Sequence, residues 1–182
     1  MPFAIRDFHK DDFETLWGID QRCFAPGISY SRLELAAYVN LAGSFTLVAE
    51  MVPENGTELK STSSPLGVSE SRVPREQPQS REVVGFVVAN AGRGAGHIIT
   101  IDVLPKAQRF GVGSGLLSTA EERLRASRCT FVKLETAVNN VSALSFYKRH
   151  KYFLVRTLPR YYPDGSNAFV LRKELLSSQR DR

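Results

Sequence analysis

The 182-residue chain has only two cysteines, Cys23 and Cys129, and three histidines. Two cysteines far apart in sequence exclude a disulfide framework and provide no metal-binding spacing, so we expect no metal site. No apolar run approaches the roughly 20 residues that a membrane-spanning helix needs. The first residues lack the basic and then apolar order of a secretory signal peptide. These absences predict a protein without a membrane segment and favour a cytoplasmic location.

Positive charge exceeds negative charge only modestly. The 24 Lys and Arg residues against 19 Asp and Glu residues give a net charge of +5, which suits an anionic coenzyme, a ribosome or simply a solvated surface. The basic residues are not interleaved with aromatic residues as in a nucleic-acid groove, so we do not expect nucleic acid as the partner. The length predicts one domain over residues 1–182, as a monomer or a homodimer.

The most informative stretch is a predicted strand, a glycine loop and a helix. His97–Leu104 is rich in β-branched residues and predicts a buried strand, while apolar residues recur at helical spacing from Leu116 to Leu124. The loop between them reads Gln108-Arg109-Phe110-Gly111-Val112-Gly113-Ser114. Glycines at a helix start let a phosphate reach free amide N–H groups, and Arg109 adds a positive charge. The stretch therefore predicts a pyrophosphate cradle.

Two common phosphate-binding motifs do not fit this loop. The dinucleotide fingerprint would need a third glycine at Leu116, and the Walker A motif would need Gly-Lys-Ser/Thr. The pattern that fits is Q/R-x-x-G-x-G/A, from Gln108 to Gly113. On this motif alone, a glycine-rich turn without a ligand remains an alternative.

Hydrophobic periodicity along the chain predicts the order β-α-α-β-β-β-α-β-α-β-β, an α/β fold with a mixed sheet. The second helix, opening at Ser31, carries Leu33, Ala36, Ala37 and Leu41 on one face, and the two N-terminal helices with the loop between them either roof a substrate site or belong to the core. Residues from about 52 to 81 are rich in Pro, Ser, Glu and Gly, which predicts a flexible insertion at the tip of a hairpin. The glycines at 92–96 predict a turn between two strands.

Three further segments carry a family resemblance. Leu134–Asn140 resembles an "LEV-x-x-x-N" segment, Ala143–Tyr147 resembles an "A-x-x-x-Y" helix, and Arg160–Leu171 resembles a closing hairpin with paired tyrosines. With the glycine loop, they identify a resemblance to the GNAT acetyltransferase superfamily, in particular to RimI-type N-terminal acetyltransferases. The resemblance covers nearly the whole chain apart from the insertion. It implies a central mixed, mostly antiparallel sheet with splayed middle strands, flanked by helices.

The resemblance also implies a cosubstrate and an acceptor. Acetyl-CoA would be the cosubstrate, without a metal, and the acceptor would be a primary amine, most favourably a protein N-terminal α-amine. A small-molecule amine, a lysine side chain or a non-catalytic coenzyme A-binding module remain the alternatives. The implied coenzyme-binding residues are Ile101, Asp102 and Val103 through their backbone, Gln108, Arg109, Phe110, Gly111, Val112, Gly113 and Ser114 at the pyrophosphate, and Asn140.

Four residues receive roles in catalysis or acceptor binding through the resemblance. Glu135 would act as the general base through a water, and Tyr147 as the general acid toward the leaving thiolate. Tyr161 and Tyr162 would line the peptide entrance. The structural alternatives are a surface carboxylate paired with Lys133, a core tyrosine, and packing tyrosines in the hairpin.

Two positions depart from the family pattern. Lys151 stands where a glycine usually caps the helix, so the end of that helix is uncertain. Asp102 stands where RimI-type proteins have a small residue, which puts the shape or charge of the acceptor pocket in doubt. Cys23 and Cys129 have no histidine nearby in sequence, so both are expected in the core and not as thiol nucleophiles.

Overall fold

The computed structural model describes residues 2–24, 28–52 and 81–175. Its helices and strands follow in the order β1 (Phe3–Asp7), α1 (Phe13–Cys23), α2 (Arg32–Val39), β2 (Ser44–Met51), β3 (Glu82–Ala91), β4 (Ala95–Val103), α3 (Val112–Ala126), β5 (Phe131–Ala137), α4 (Val141–Arg149), β6 (Phe153–Leu158) and β7 (Ala168–Glu174). This order confirms the predicted one. All but the ends of the insertion predicted at 52–81 lie outside the described residues.

The seven strands form one sheet in the order β1-β2-β3-β4-β5-β7-β6. Only β4 and β5 run parallel, while every other neighbouring pair is antiparallel. The β4–β5 pairing joins Ala95–His97 to 131–133 and then stops, although both strands continue. The mixed, mostly antiparallel sheet with splayed middle strands is therefore confirmed.

A β-bulge in β4 explains why the middle strands separate. Val88 on β3 pairs with Thr100 and Ala89 pairs with Ile98, so Ile99 is an extra residue on β4. A bulge bends its strand and strengthens the local twist. The bend begins just after His97, where β4 loses β5 as its partner, and a gap opens between the two strands.

The sheet is covered by helices on both faces. On one face α1 and α2 pack Leu16, Ile19 and Leu35 against β2 and β3, and on the other face α3 packs Leu116, Leu117, Ala120 and Leu124. In the described residues, no helix is both long and apolar enough to span a membrane. The same residues hold no cluster of three or more His, Cys, Asp or Glu side chains suited to a metal ion.

The apolar face predicted on α2 is not the face that packs against the core. Leu33 is 83% exposed, whereas Leu35 is fully buried and packs with Tyr38 and Val39. Positions 33, 36 and 37 and positions 35, 38 and 39 both have helical spacing, so this short helix has two apolar stripes. The turn predicted at 92–96 is confirmed, since Gly94 links β3 to β4 with a φ of +77°.

Candidate active site

A cavity of about 400 Å³ lies in the gap between β4 and β5. His97 to Ile101 form one wall and Leu134 to Ala137 form the opposite wall. The remaining lining residues come from the α1–α2 region, the start of α4 and the β6–β7 loop: Cys23, Phe24, Ile28, Tyr30, Tyr38, Asn139, Asn140, Ala143, Tyr147, Tyr161 and Tyr162. This volume is typical of a small-molecule site.

Glu135 on β5 and His97 on β4 face each other across this cavity. Oε2 of Glu135 lies 2.6 Å from Nε2 of His97, while Nζ of Lys133 lies 3.8 Å from Oε1. Burial raises the pKa of Glu135, but the bond from His97 and the charges of Lys133 and Arg156 outweigh it and hold this pKa below its usual value. Because Glu135 is then an acceptor, Nε2 of His97 donates in this bond.

His97 is a site residue that the sequence did not single out. It opens the predicted strand, and its contact with Glu135 spans 38 residues. The contact depends on the register between β4 and β5, which periodicity along one strand does not reveal. A polar residue among β-branched neighbours, in the strand before the glycine loop, was the available signal.

Tyr147 lies on α4 and lines the same cavity as Glu135. The residue is 7% exposed, and its ring packs edge-on against Phe146 and Tyr152 at centroid distances of 5.2 and 5.4 Å. Burial raises the pKa of Tyr147 above its usual value, so the phenol stays protonated at neutral pH. The structure thus brings the predicted base and the predicted acid to one cavity.

The glycine loop leads directly into α3. Arg109 and Gly111 have φ values of +67° and +86°, and Gly111 is the N-cap of the helix. The amide of Gly115 makes a helical bond to the carbonyl of Gly111 at 2.9 Å. The amides of residues 112–114 come before this bond and have no acceptor within the helix. This helix start suits a phosphate group.

Side chains brace the glycine loop on both sides. Nε2 of Gln108 donates to the carbonyl of Val103 at 3.0 Å, and Oγ of Ser114 lies 2.9 Å from Nε2 of His150. Phe110 is 49% exposed. The loop residues are not among those that line the β4–β5 cavity. The predicted pyrophosphate site and the predicted catalytic groups therefore occupy separate but neighbouring parts of the fold.

The other predicted coenzyme residues divide into two groups. Ile101 and Asn140 line the cavity, although Oδ1 of Asn140 also caps α4 by accepting from the amide of Ala143 at 3.0 Å. Asp102 and Val103 lie outside the lining. The Asp102 side chain is 1% exposed and accepts from Oγ1 of Thr100, so a contact with the coenzyme is left to its backbone.

Four tyrosines from two chain segments surround the outer part of the cavity. The predicted pair, Tyr161 and Tyr162, lies between β6 and β7 with ring centroids 5.0 Å apart. Tyr30 and Tyr38 come from the α1–α2 region, with centroids 5.1 Å apart. Sequence reasoning left the role of this region open, and the structure makes both segments part of one lining.

Neither cysteine is placed as a nucleophile. Cys129 is 3% exposed, as predicted for a core residue. Cys23 is half-buried in the cavity wall, and its thiol donates to the carbonyl of Val103 at 3.5 Å. Burial raises the pKa of Cys23 to about 12, so the reactive thiolate is scarce at neutral pH.

Comparison with known proteins agrees with the geometry. The model of the acetyltransferase (GNAT) family matches residues 73–152. Residues 73–152 therefore match a GNAT acetyltransferase domain. The chain is 37% identical over 93 residues to an uncharacterized N-acetyltransferase of Methanocaldococcus jannaschii, covering 50% of this chain and 60% of that protein. It is 34% identical over 110 residues to an N-alpha-acetyltransferase of Sulfolobus acidocaldarius, covering 52% and 64%.

The domain also resembles a solved structure along its whole length. The ribosomal-protein-S18-alanine N-acetyltransferase from Escherichia coli superposes with a TM-score of 0.71 and 17% identity, covering 100% of this chain and 99% of that one. At this identity the likeness concerns the fold. The match region of the two sequence relatives above spans about 60% of their length. The predicted resemblance to the GNAT superfamily is confirmed.

Proposed function

We propose that this domain transfers an acetyl group from acetyl-CoA to a primary amine, most favourably a protein N-terminal α-amine. The observation that carries the proposal is the Glu135–His97 pair and the buried Tyr147 phenol on one cavity. Acetyl transfer to an ammonium requires a group that removes a proton and a group that protonates the leaving thiolate. A carboxylate–imidazole pair and a neutral phenol meet these two requirements.

The residues of the glycine loop suit the coenzyme. The free amides of residues 112–114 and the guanidinium of Arg109 would hold the pyrophosphate, with Ser114 as a further donor. Beyond His97, β4 has no pairing to β5, so backbone groups on that side of the strand are available to a ligand. Acetyl-CoA, when bound, supplies an activated thioester, so the chain needs no nucleophile of its own.

Proton transfers then fall to the side chains of the cavity. Glu135 accepts a proton from the incoming ammonium, directly or through one water, and the bond from His97 keeps its carboxylate oriented. Tyr147 donates its phenolic proton to the leaving sulfur. A phenol is a weaker acid than a thiol, so position matters more than acidity in this second step.

The α-amine acceptor is supported by a named relative and by the aromatic lining. An N-alpha-acetyltransferase is among the sequence relatives. Tyr161, Tyr162, Tyr30 and Tyr38 offer flat apolar surfaces with polar tips, which suit an extended peptide end. All described strands belong to one sheet, in keeping with a single domain.

Two peptide pools test the acceptor. One pool has free N-termini and no lysine, and the other has blocked N-termini and one internal lysine. We expect thiol release from acetyl-CoA with the first pool alone. Release with the second pool alone would contradict the α-amine acceptor. Silence with both pools, while acetyl-CoA still raises the melting temperature, would also contradict it and would direct the search to small amines.

A further inference from the structure

Two consecutive residues at the end of α1 hold both backbone polar groups of Tyr30. The amide of Tyr30 donates to Oδ2 of Asp20 at 2.9 Å. Nε2 of Gln21 donates to the carbonyl of Tyr30 at 2.8 Å and to the same Oδ2 of Asp20 at 3.0 Å. The three residues form a closed set of hydrogen bonds, which fixes Tyr30 relative to α1.

Tyr30 extends this arrangement to the cavity. Its hydroxyl donates to the carbonyl of Ile99 at 3.3 Å, and its ring packs edge-on against Tyr38. Ile99 is the extra residue of the β4 bulge. Tyr30, Tyr38 and Ile99 line the cavity, whereas Asp20 does not. The hydrogen bonds of Asp20 therefore reach the cavity through Tyr30.

The surroundings of Asp20 make this carboxyl group unusual. Asp20 has no exposed surface, and its Oδ1 has no hydrogen-bond partner among the described residues. Asp102 on β4 is also buried, with Oδ2 unpartnered, and Glu34 on α2 adds another negative charge. Burial raises the pKa of Asp20 to about 6. A buried acid among acids is unfavourable unless its hydrogen bonds are needed.

We propose that Asp20 is a positioning residue for the acceptor amine, because it fixes Tyr30 on the outer lining of the cavity. This role rests on the proposed function for its effect on turnover. The glycine loop is a separate part of the fold, and Tyr30 bonds β4 at Ile99, outside the residues predicted to hold the coenzyme, so we expect Asp20 to affect the acceptor more than the coenzyme. An asparagine can replace the carboxylate, since its side-chain oxygen accepts the same two hydrogen bonds.

Three variants test the role of Asp20. Asp20→Ala removes the acceptor of both bonds, and Asp20→Asn keeps it. Glu121→Ala is the matched control, because Glu121 is a buried acid on α3 that bonds Tyr152 and Lys173 away from the cavity. The assay uses acetyl-CoA and the peptide that turns over fastest among short, lysine-free peptides with different first residues.

We expect Asp20→Ala to raise the acceptor KM about tenfold, since two hydrogen bonds that order the lining are lost. The acetyl-CoA Kd should stay within about twofold, and Asp20→Asn should keep the wild-type acceptor KM. Glu121→Ala should lower the melting temperature without changing that KM. An unchanged acceptor KM in Asp20→Ala, an equal rise in the acetyl-CoA Kd, or failure of asparagine to rescue would overturn the proposal.

Hydrogen exchange separates this proposal from the proposed function. The amide of Tyr30 should exchange faster in Asp20→Ala than in the wild type and should remain protected in Asp20→Asn. This readout needs no substrate, so it holds even if the wild type acetylates no peptide, which would refute the function alone. Unchanged protection of Tyr30 in a folded Asp20→Ala would refute the positioning role. Tyr30→Phe, which removes only the bond to Ile99, provides a milder variant if alanine prevents folding.

Discussion

Glu135 lies between groups that act on it in opposite directions. Burial favours its neutral form, while the bond from His97 and the nearby cations favour the carboxylate. The balance lowers the pKa of Glu135, so its side chain is an ionised carboxylate at neutral pH and can act as a base. Only acidic pH protonates it and removes this function. The role of Glu135 stays a prediction, and its environment supports it.

Glu135→Gln separates proton transfer from structure. Glutamine keeps an oxygen that can accept from His97 but cannot take a proton, so we expect kcat to fall about a hundredfold or more. Thiol release with a fixed peptide measures kcat, and the acetyl-CoA Kd should not change. Glu174→Gln, at an exposed carboxylate on β7, is the control and should leave kcat unchanged. Wild-type kcat in Glu135→Gln would exclude this base.

Tyr147→Phe tests the acid. Only the hydroxyl is lost, and the edge-on packing against Phe146 and Tyr152 remains. We expect kcat to fall about a hundredfold with little change in the acceptor KM, because the group acts on the leaving thiolate. Tyr152→Phe is a matched control from the same aromatic cluster, since its hydroxyl bonds Glu121 and Tyr152 does not line the cavity. Equal kcat values for the two variants would argue against an acid at Tyr147.

Residue identities in the candidate site were accessible from sequence to different degrees. Glu135 and Tyr147 belong to local motifs, and the structure brings both to the cavity. His97 was missed because its partner lies across two strands that are distant in sequence. Tyr30 was missed because hydrogen bonds from α1 set its position. A motif indicates side chains within one segment of the chain. The positions of His97 and Tyr30 depend instead on contacts between segments that are distant in sequence.

Lys151 caps the end of α4 in a backbone conformation that is unfavourable for lysine. Lys151 has a φ of +67°. Its amide bonds the carbonyl of Lys148, and the amide of Tyr152 bonds the carbonyl of Tyr147, both at 3.0 Å. This is a Schellman cap with lysine where glycine is favoured. The helix end that the sequence left uncertain is therefore well formed, at the cost of a strained residue.

Replacing that lysine should stabilise the protein. Lys151→Gly removes the strain of the left-handed conformation in the folded state. Glycine also gives the unfolded chain more conformational entropy, which offsets part of this gain, so we expect the free energy of unfolding to rise by about 0.5–1 kcal/mol. Urea unfolding measures this change. Lys148→Gly, inside the same helix, is the control and should lower the free energy by about 1 kcal/mol. A loss of stability in Lys151→Gly would mean that the lysine side chain makes a contact worth more than the strain.

Helices and strands were predicted more readily than the faces that they bury. The order of elements follows from periodicity and turn residues. The buried stripe of α2 does not, because two stripes of equal spacing compete and packing against α1 and β2 selects the one with Leu35. The β4 bulge likewise required its register with β3.

The site exists only because the whole sheet places its parts. The bulge bends β4, the bend ends its pairing with β5, and the gap receives side chains from both strands and from α4. The two outer parts of the lining come from opposite ends of the chain, before β2 and after β6. The splayed strands were expected from the family resemblance. The residues that line the cavity between them depend on how distant segments pack in three dimensions.

The acid–base balance of the whole protein follows from how it buries carboxyl groups. Bonds from Arg123 and Arg6 lower the pKa values of Asp7 and Asp12, and this stability is lost as the pH falls below about 4. Burial raises the pKa of Asp20 to about 6 and that of Asp102 well above its usual value. A raised carboxyl pKa acts in the opposite direction, because the folded state then binds more protons than the unfolded state. Stability from such a group is present at low pH and declines as the pH rises.

Asp20→Asn isolates this effect. Asparagine does not ionise, so the variant should gain stability relative to the wild type as the pH rises from about 4, where an unfolded aspartate ionises, to about 6. Above about pH 6 the difference should become constant. Urea unfolding of both proteins across this range measures the difference, and subtraction removes the contribution of His150, whose pKa burial lowers. Asp164→Asn, at an exposed turn, serves as the control: the bonds from Ser166 lower the pKa of Asp164, so its stability difference should change only below about pH 4 and stay constant across this range. A difference that does not grow between about pH 4 and 6 would mean that Asp20 is already ionised throughout, held as an anion by its bonds to Tyr30 and Gln21.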